Sequence, residues 1–354
     1  MRLLYITYKL DSGDSLVGHV ASWIRGLSTK FAAIEVICLT YSGEDLPDNI
    51  RVHPLVDEKG NSRFSRYIKF WQIAWKLRNS VQIVFCQFSP EYVLGIAPLA
   101  LLYSWPIIIW YTHRHVSLRL RLATILSKCV VTASPESFQI KTNKTSVIGH
   151  GINTDKFRPS TNVIASPSVI LSVGRLSPIK NYELLIDSIL SLRNVLSNED
   201  FVVRIVGGDE GNAPQNYRSI LQERIDASGL GKLVKLVGPM PYGQIVDEYI
   251  SASAHINLCA TGGMDKAVLE GMACGVPTLV RNESFASMAN VTSGLELLKS
   301  DDADLIAKRL LKLIRMSQGD RNIIGKGMWE MVDRSHGQEQ FLGVLAKTIQ
   351  RLAD

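Results

Sequence analysis

Two basic residues lie close together in a loop that follows an apolar, β-branched run in the second half of the chain. Arg175 and Lys180 leave this loop after Gly174, and a helix is predicted to begin near Tyr182, directly behind them. Fixed cations beside the unpaired N–H groups of a helix N-terminus suit a diphosphate group. The alternative is a loop with two solvated charges, and the G-x-x-x-x-G-K-[ST] motif of a P-loop is absent.

Glycines end two further predicted strands in this half. Gly207 and Gly208 follow the run "FVVRIV", and Gly238 follows "LVKLV". A glycine at such a point lets a ligand approach the backbone, but it equally serves a tight turn. Pro239 and Pro241 stiffen the second loop, which could hold a flat base.

A carboxylate, Glu270, lies in the segment "TGGMDKAVLEGMACGVPTLV" (261–280). Asp265 is predicted to cap the N-terminus of a helix that contains Glu270 and ends before Gly275. Because the segment is mostly apolar, the carboxylate of Glu270 needs a partner, and ribose hydroxyls are suitable ones. A solvated helix residue is the other interpretation.

Short apolar runs recur along the chain and alternate with helical periods. Six such runs precede residue 160 and five follow it. Alternating strands and helices predict parallel sheets covered by helices on both faces, and two sets predict two Rossmann-like domains. Ligands gather at the carboxyl ends of such strands. The first domain is predicted over 1–158 and the second over 168–335, with the Pro- and Ser-rich stretch 157–168 as the linker.

The charge distribution and the cysteine content limit the classes of partner and the compartment that the sequence predicts. Residues 1–160 carry 19 Lys and Arg against 11 Asp and Glu, a net +8, whereas residues 161–354 carry 20 against 22, a net −2. The basic half could face nucleic acid, anionic lipid or a phosphorylated substrate. Five scattered cysteines favour a reducing compartment, and the first residues resemble a strand more than a signal peptide.

Two stretches of the sequence could contact or cross a membrane. Residues 92–112 hold no charge, but Gly95, Pro98 and Pro106 interrupt them, so a helix over 91–103 and a strand over 107–112 are predicted instead of a span. Residues 62–80 form a predicted basic helix with five aromatic side chains. Such a helix could lie on an anionic membrane surface, or its aromatic stripe could belong to the core.

Four motifs, in order, resemble retaining glycosyltransferase family 4, the "glycosyl transferases group 1" type. They are "WYTH" (110–113), "GHGINTDKF" (149–157), "VGRLSPIKNYELLI" and, about 90 residues later, "LEGMACGVPTLV". The resemblance implies the GT-B architecture, two Rossmann-like domains with parallel sheets facing across a cleft. It also implies that a C-terminal helix, 336–354, packs back toward the first domain.

The resemblance assigns roles to individual residues. Arg175 and Lys180 would contact the diphosphate of a nucleotide sugar, a UDP- or GDP-sugar in particular, Glu270 its ribose, and His113 the reacting sugar. Gly18, at the start of a predicted helix, would offer its N–H to the donor phosphates, although the family's paired glycines after the first strand are missing. The other expected donor contacts are Gly207, Gly208, Gly238, Gly263, Met264, Asp265 and Lys266.

The chain departs from the family at the loop before Glu270. The family's common form reads Glu-Gly-Phe-Gly where this chain has Gly262, Gly263, Met264 and Asp265. One interpretation is a rebuilt site, in which Asp265 takes over the hydroxyl contacts as a catalytic residue and Lys266 adds charge near the phosphate. On the other, Asp265 is only a helix cap and the site is weakened.

We therefore expect a retaining, metal-independent hexosyltransferase with a glycan, lipid-linked or small-molecule acceptor and no nucleic-acid partner. No cofactor is expected, and the D-x-D in "DDAD" (301–304) is interpreted as helix capping. Cytoplasmic location is expected, with a peripheral place at the inner face of the membrane left open. The alternatives are a catalytically silent sugar-nucleotide-binding or membrane scaffold protein, and a nucleotide-sugar epimerase, for which a clear acid/base pair is lacking.

Overall fold

The computed structural model of the chain describes residues 1–56, 60, 62–160, 167–196, 201–209 and 217–353. These residues form two compact units. The first comprises Met1–Gly151 and Gln338–Asp354, and the second comprises Ile152–Gly337.

The first unit is built on a seven-stranded sheet in which every described pairing is parallel. Its strands are β1 (Arg2–Leu10), β2 (Ala33–Tyr41), β3 (Ile50–Pro54), β4 (Ile83–Gln87), β5 (Ile107–Trp110), β6 (Cys129–Thr132) and β7 (Thr145–Val147). The spatial order is β3-β2-β1-β4-β5-β6-β7, so the direction of winding reverses between β1 and β4. This reversal is where doubly wound sheets leave a crevice for ligands.

Helices cover both faces of this sheet. They are α1 (His19–Ser28), α2 (Arg63–Lys76), α3 (Pro90–Leu102) and α4 (Leu118–Leu126). Successive side chains of β1 enter opposite cores, since Leu3 and Tyr5 pack in one apolar cluster and Leu4 and Ile6 in another. A strand buried on both faces has to be apolar throughout, which is why these runs are recognisable in the sequence.

The second unit repeats the arrangement with six parallel strands in the order β10-β9-β8-β11-β12-β13. They are β8 (Ser168–Val173), β9 (Phe201–Val206), β10 (Val234–Gly238), β11 (Ala254–Asn257), β12 (Thr278–Val280) and β13 (Leu295–Leu297). Its helices are α5 (Tyr182–Val195), α6 (Tyr217–Ala227), α7 (Ile245–Ser251), α8 (Lys266–Ala273), α9 (Ala286–Ala289), α10 (Ala303–Ile314) and α11 (Gln318–His336). Here the winding reverses between β8 and β11.

The boundary between the units falls earlier than the sequence suggested. Residues 152–158, predicted to close the first domain, belong to the second unit, because Ile152 forms a parallel bridge with Gly337 and Phe157 is fully buried in that unit's core. Part of the predicted linker, 161–166, lies outside the described residues. The last helix, α12 (Gln338–Ala353), groups with the first unit, where Phe341 stacks on Trp23 with ring centroids 4.3 Å apart.

The uncharged stretch is a helix followed by a strand, as predicted: α3 ends at Leu102 and β5 begins at Ile107. No helix in the described ranges combines the length and the apolar character that crossing a bilayer requires. The aromatic stripe of the basic helix α2 is divided, since Phe70 belongs to an apolar core and Trp71 packs against it, whereas its other aromatic side chains are exposed. Of its side chains only Phe70 and Ala74 are buried, while Phe64 is 72% and Trp75 48% exposed.

Candidate functional site

The segments after β8 and β11 carry the two charges that meet at the reversal point of the second sheet. Lys180 ends a short 3₁₀ turn after β8, and Asn181, in the left-handed conformation with φ 54°, turns the chain into α5. The ammonium of Lys180 donates to Oδ2 of Asp265, which precedes α8. Asn257, the last residue of β11, donates to the same oxygen at 2.9 Å.

Asp265 therefore has two structural roles. Its Oδ1 accepts a hydrogen bond from the backbone N–H of Ala267 at 3.2 Å, which confirms the predicted helix cap. Its Oδ2 holds Lys180 and Asn257. The sequence interpretation of Asp265 as a cap alone is incomplete, because it did not include this ion pair.

The pair is ionised at neutral pH. Burial by itself would raise the pKa of the Asp265 carboxyl, but the charge of Lys180 and the hydrogen bonds from Lys180, Asn257 and Ala267 lower it to about 2. Burial would lower the pKa of Lys180, yet Asp265 raises it above its ordinary value. The charge of Arg175 opposes that rise, since the exposed Arg175 lies nearby.

A second charged cluster lies one turn further along α8. Glu270 is 5% exposed, and the hydroxyl of Tyr242 donates to its Oε1 at 2.9 Å. Nζ of Lys266 lies 3.5 Å from the same oxygen, donates to the Tyr242 hydroxyl at 3.1 Å and stands 4.6 Å above the centre of that ring. Among the described residues both contacts reach Oε1, so Oε2 can serve as an acceptor for a ligand.

Burial dominates the ionisation of this cluster. It raises the pKa of Glu270, against the opposing effect of Lys266 and Tyr242. It lowers the pKa of Lys266 to about 8, in spite of the attraction of Glu270. The sequence did not identify Tyr242, although its position in the loop after β10 was a signal.

The glycines that end the strands have different explanations. A Cβ at Gly207 would lie 1.9 Å from the carbonyl oxygen of Gly174, so this glycine is required by the close approach of two backbones. A Cβ at Gly208 would lie 3.2 Å from Pro239. Gly238 has φ +95°, in the left-handed region, with open space beside it. For Gly207 the turn interpretation is sufficient without a ligand.

The glycine-rich loop before α8 is held from a neighbouring strand end. Asn282, after β12, donates from Nδ2 to the carbonyl oxygen of Gly263 at 3.1 Å and of Thr261 at 3.4 Å. Gly262 has φ +105°, which glycine adopts without strain. The side chain of Met264 is buried in an apolar cluster, so the donor contact predicted for Met264 would be made by its backbone.

A buried histidine lies beneath the two clusters and was missed in the sequence. His255, in β11, is fully buried, and neither ring nitrogen has a hydrogen-bond partner among the described residues. Burial lowers its pKa to about 4. Gly271 of α8 lies against it, because a Cβ there would come 2.9 Å from the ring.

In the first unit, His113 lines a cavity of about 720 Å³ at the carboxyl ends of β1, β4 and β5. The ring of His113 is exposed and stands edge-on to Tyr111, with centroids 5.5 Å apart. Phe88, with φ 70°, lines the same cavity in a conformation that bulky residues rarely adopt. Strain of this kind is typical of functional sites.

Glu91 is a further acid in this cavity, and the sequence did not single it out. Arg119 donates to its Oε1 at 2.8 Å and Ser89 to its Oε2 at 2.5 Å. Burial would raise the pKa of Glu91, but these two hydrogen bonds lower it below its ordinary value. Its position just after β4 was the available signal.

Gly18, the predicted phosphate ligand of the first unit, begins α1 as expected. Its N–H, however, donates to the carbonyl oxygen of Asp14 at 3.0 Å. The predicted phosphate contact through this N–H would require that hydrogen bond to break.

The structure describes no group of three or more His, Cys, Asp or Glu residues that could hold a metal ion in the ranges it covers. In the predicted D-x-D, Asp302 caps α10 by accepting hydrogen bonds from the N–H groups of Asp304 and Leu305. Asp301 pairs with Arg281 at 2.8 Å. The capping interpretation is confirmed.

Residues 153–327 match the profile of the family described as "Glycosyl transferases group 1". A D-inositol 3-phosphate glycosyltransferase of Catenulispora acidiphila is 27% identical over 148 residues, which is 38% of this chain and 34% of that protein. A D-inositol 3-phosphate glycosyltransferase of Geodermatophilus obscurus is 24% identical over 202 residues, 53% of this chain and 45% of its own. The chain thus spans less than half of the length of these curated relatives.

The chain also matches a solved structure at low identity. HepE of Anabaena, solved in complex with UDP and glucose, superposes with a TM-score of 0.77 over 99% of both chains at 15% identity.

Proposed function

Because residues 153–327 make this chain a member of the glycosyl transferases group 1 family, we propose that it is a retaining, metal-independent hexosyltransferase with a nucleotide-sugar donor. The predicted fold is confirmed, since two all-parallel α/β units of the GT-B type are present. Donor, acceptor and stereochemistry belong to the proposal.

One observation carries the proposal. Lys180 and Asp265 form an ion pair at the reversal point of the second sheet, with Arg175 beside it. The anomeric carbon–oxygen bond breaks during transfer and its electron pair leaves with the diphosphate. Arg175 and Lys180 stabilise that charge, and such positioned groups contribute about 10²-fold or more to turnover. The acceptor oxygen bonds to the anomeric carbon, and its proton passes to the departing diphosphate.

The neighbouring cluster supports a nucleoside next to the diphosphate. Glu270 retains Oε2 as an acceptor, and ribose hydroxyls are donors that a buried carboxylate can bind. In this proposal Tyr242 and Lys266 fix the orientation of Glu270, and Asp265 orients Lys180 while its remaining lone pairs meet the donor sugar. HepE of Anabaena, which has the same fold, was solved with UDP-glucose.

A thermal-unfolding screen of UDP-, GDP- and ADP-sugars tests donor binding. A ligand at 100 times its dissociation constant adds about 2.7 kcal/mol to stability, so a single nucleotide class should raise Tm clearly. The rise should disappear in Lys180→Ala and persist in the control Lys308→Ala, which removes an exposed lysine of the same unit. If no sugar nucleotide changes Tm, the donor proposal fails.

Transfer itself is tested by the products. Product analysis by NMR should show the donor's anomeric configuration preserved, and turnover should be unchanged by a chelator. An inverted product would reject retention, and loss of turnover with the chelator would reject metal independence.

One observation favours a second candidate, a sugar-nucleotide-binding protein without transferase activity. Asp265 already neutralises Lys180, the cation that would hold the diphosphate. Tight donor binding together with the absence of nucleoside diphosphate release, over a panel of acceptors, would favour this candidate.

We also place the protein in the cytoplasm, in peripheral contact with a membrane through residues 62–80. All five cysteines are free and buried, which suits a reducing compartment. Helix α2 exposes Phe64, Tyr67 and Trp75 and carries Arg63 and Lys76 at its ends. Exposed aromatic and basic side chains on one helix suit an anionic lipid surface. Co-sedimentation with anionic vesicles, compared with neutral ones, tests this contact.

A further inference from the structure

A groove beside α2 in the first unit is distinct in chemistry from the cavity around His113. It has a volume of about 470 Å³, and most of the surface that lines it is apolar. Leu39, Leu55 and Phe70 belong to or pack against one apolar core, so the inner wall of the groove is a continuation of that core. A groove of this kind suits a hydrocarbon chain and is poorly suited to a sugar.

Two guanidinium groups also line this apolar groove. Arg63 and Arg66 are one helical turn apart on α2, so their side chains lie on the same side of the helix. Arginine pairs bind phosphate through several parallel N–H donors. An apolar groove with two arginines therefore matches an amphiphile that carries a phosphate next to its hydrocarbon chain.

The groove adjoins the cavity that holds His113. Tyr8, Glu91 and Tyr92 line both spaces, so one elongated ligand can occupy the two together. The end of such a ligand that reaches the His113 cavity would meet Glu91, which hydrogen bonds with Ser89 and Arg119 keep ionised. A carboxylate there can accept a hydrogen bond from a sugar hydroxyl.

We propose that the acceptor of this enzyme is a phosphorylated lipid, with its hydrocarbon chain in the groove beside α2 and its phosphate on Arg63 and Arg66. This inference rests on the proposed function and specifies its acceptor. Phe64 and Ile68 of the same helix are exposed and present apolar surface to the solvent. A chain rooted in a bilayer could enter along that surface.

Gly95 of α3 provides a way to close the groove without touching its charges. A Cβ at this position would lie 3.5 Å from Cε1 of Phe70, an ordinary contact, so alanine fits. A leucine would project further into the space that the hydrocarbon chain is proposed to fill. The pair Gly95→Ala and Gly95→Leu therefore tests occupancy by size alone.

Farnesyl phosphate, farnesol and inorganic phosphate serve as probes in calorimetric titrations of the full chain. Farnesyl phosphate should bind at least about tenfold more tightly than farnesol, since hydrogen bonds to charged groups contribute about 1.5–3 kcal/mol each. Inorganic phosphate should not bind measurably. The double variant Arg63→Gln with Arg66→Gln should remove the preference for the phosphate, while Lys128→Gln with Lys141→Gln, which removes two exposed lysines of the same unit, should keep it.

Gly95→Leu should weaken farnesyl phosphate binding at least about tenfold, and Gly95→Ala should stay within about threefold of the unmodified chain. The sugar-nucleotide effect on Tm should be unchanged in every variant, which separates failure of this inference from failure of the donor proposal. Equal binding of farnesyl phosphate and farnesol would overturn the proposal. The proposal would also be overturned if the arginine variants reduced binding while Gly95→Leu left it intact. That result would indicate a membrane-surface helix without a lipid groove.

Discussion

Two lysine–carboxylate pairs lie at the N-terminal end of α8, and their pKa values shift in opposite directions although burial acts on both in the same way. In the first, Lys180 with Asp265, the pKa of the acid falls to about 2 and that of the lysine rises. In the second, Lys266 with Glu270, the pKa of the acid rises and that of the lysine falls to about 8. Both pairs are shielded from water, so burial alone cannot explain the difference.

The number and direction of hydrogen bonds explain it. Asp265 accepts from Lys180, from Asn257 and from a backbone N–H, so three donors stabilise its charge. Glu270 accepts from Tyr242, while Lys266 stays 3.5 Å away and shares its protons with the same hydroxyl. A fully satisfied pair keeps its charge when buried, whereas a partly satisfied pair remains sensitive to pH and to a ligand.

The largest effect is expected from Lys180→Ala. It removes the cation that stabilises the leaving diphosphate and leaves the half-buried Asp265 without its counterion. Turnover should fall on the order of 10²-fold, and the free energy of unfolding should fall by about 2–4 kcal/mol. Steady-state kinetics and urea unfolding measure the two effects.

Arg175→Ala is the matched control for this comparison. Arg175 is exposed, so its loss should reduce turnover about as much while changing the free energy of unfolding by less than about 1 kcal/mol. Near-normal turnover in both variants, with the fold intact, would reject the diphosphate assignment. Equal destabilisation by both would contradict the distinction between a buried and an exposed cation.

The sequence predicted the elements more reliably than the contacts between them. Strands buried on both faces, such as β1 and β8, were recognisable as continuous apolar runs. The edge strands β3 and β13 were missed, because Ile50–Pro54 mixes Arg51 and His53 with apolar residues and Leu295–Leu297 has only three residues. Helix starts were predicted where a side chain caps the helix, as Asp265 does for α8.

The candidate site was predictable in composition but not in pairing. Lys180 and Asp265 are 85 residues apart, and only the parallel pairing of β8 with β11 brings their segments together. Tyr242 reaches Glu270 across 28 residues from another loop. Such pairings depend on sheet register and backbone approach, which local residue patterns do not encode.

Asp265→Asn tests the fully satisfied pair with less disturbance. Asparagine caps a helix nearly as well as aspartate, so α8 should begin where it does now. Because the carboxylate that orients Lys180 and meets the sugar is lost, transfer should fall about tenfold or more, while the Kd of the bare nucleoside diphosphate should change less than about threefold. Calorimetry with the nucleoside diphosphate and transfer kinetics give both numbers.

Unchanged transfer in Asp265→Asn would show that Asp265 serves only as a helix cap. The complementary substitution, Gly262→Glu, restores the family's common form but is a weaker test, since φ at Gly262 is +105° and a glutamate there is strained whatever the site does. A loss of activity from it would therefore not distinguish a crowded site from a distorted loop.

Glu270→Gln should have a smaller effect that appears in binding. Since burial already raises the pKa of Glu270, an uncharged amide should leave the free energy of unfolding within about 1 kcal/mol. Affinity for the nucleotide should fall by about 1–3 kcal/mol, because a charged acceptor for ribose hydroxyls is lost. Donor affinity that is retained while stability falls would identify Glu270 as a purely structural residue.

The smallest effect is expected from the pH dependence of Lys266. Its pKa is about 8 in the folded chain, against an ordinary value of 10.5, so between these values the unfolded chain binds more protons than the folded one. Stability contributed by this group therefore rises with pH across that window, and the cost of burying the ammonium is fully present below pH 8.

Urea unfolding of the unmodified chain and of Lys266→Met, from pH 8 upward, isolates this contribution from other groups that titrate in the same range. The difference in free energy of unfolding between the two chains should shift in favour of the unmodified one by about 1–2 kcal/mol as the pH rises. Lys180 is expected to behave differently from Lys266. Its pKa is raised, so its ion pair with Asp265 should stay intact over the first part of that pH window. A difference that stays constant with pH would mean that Lys266 keeps its proton as firmly as Lys180 does, and the two pairs would then not differ in the direction of their net pKa shifts.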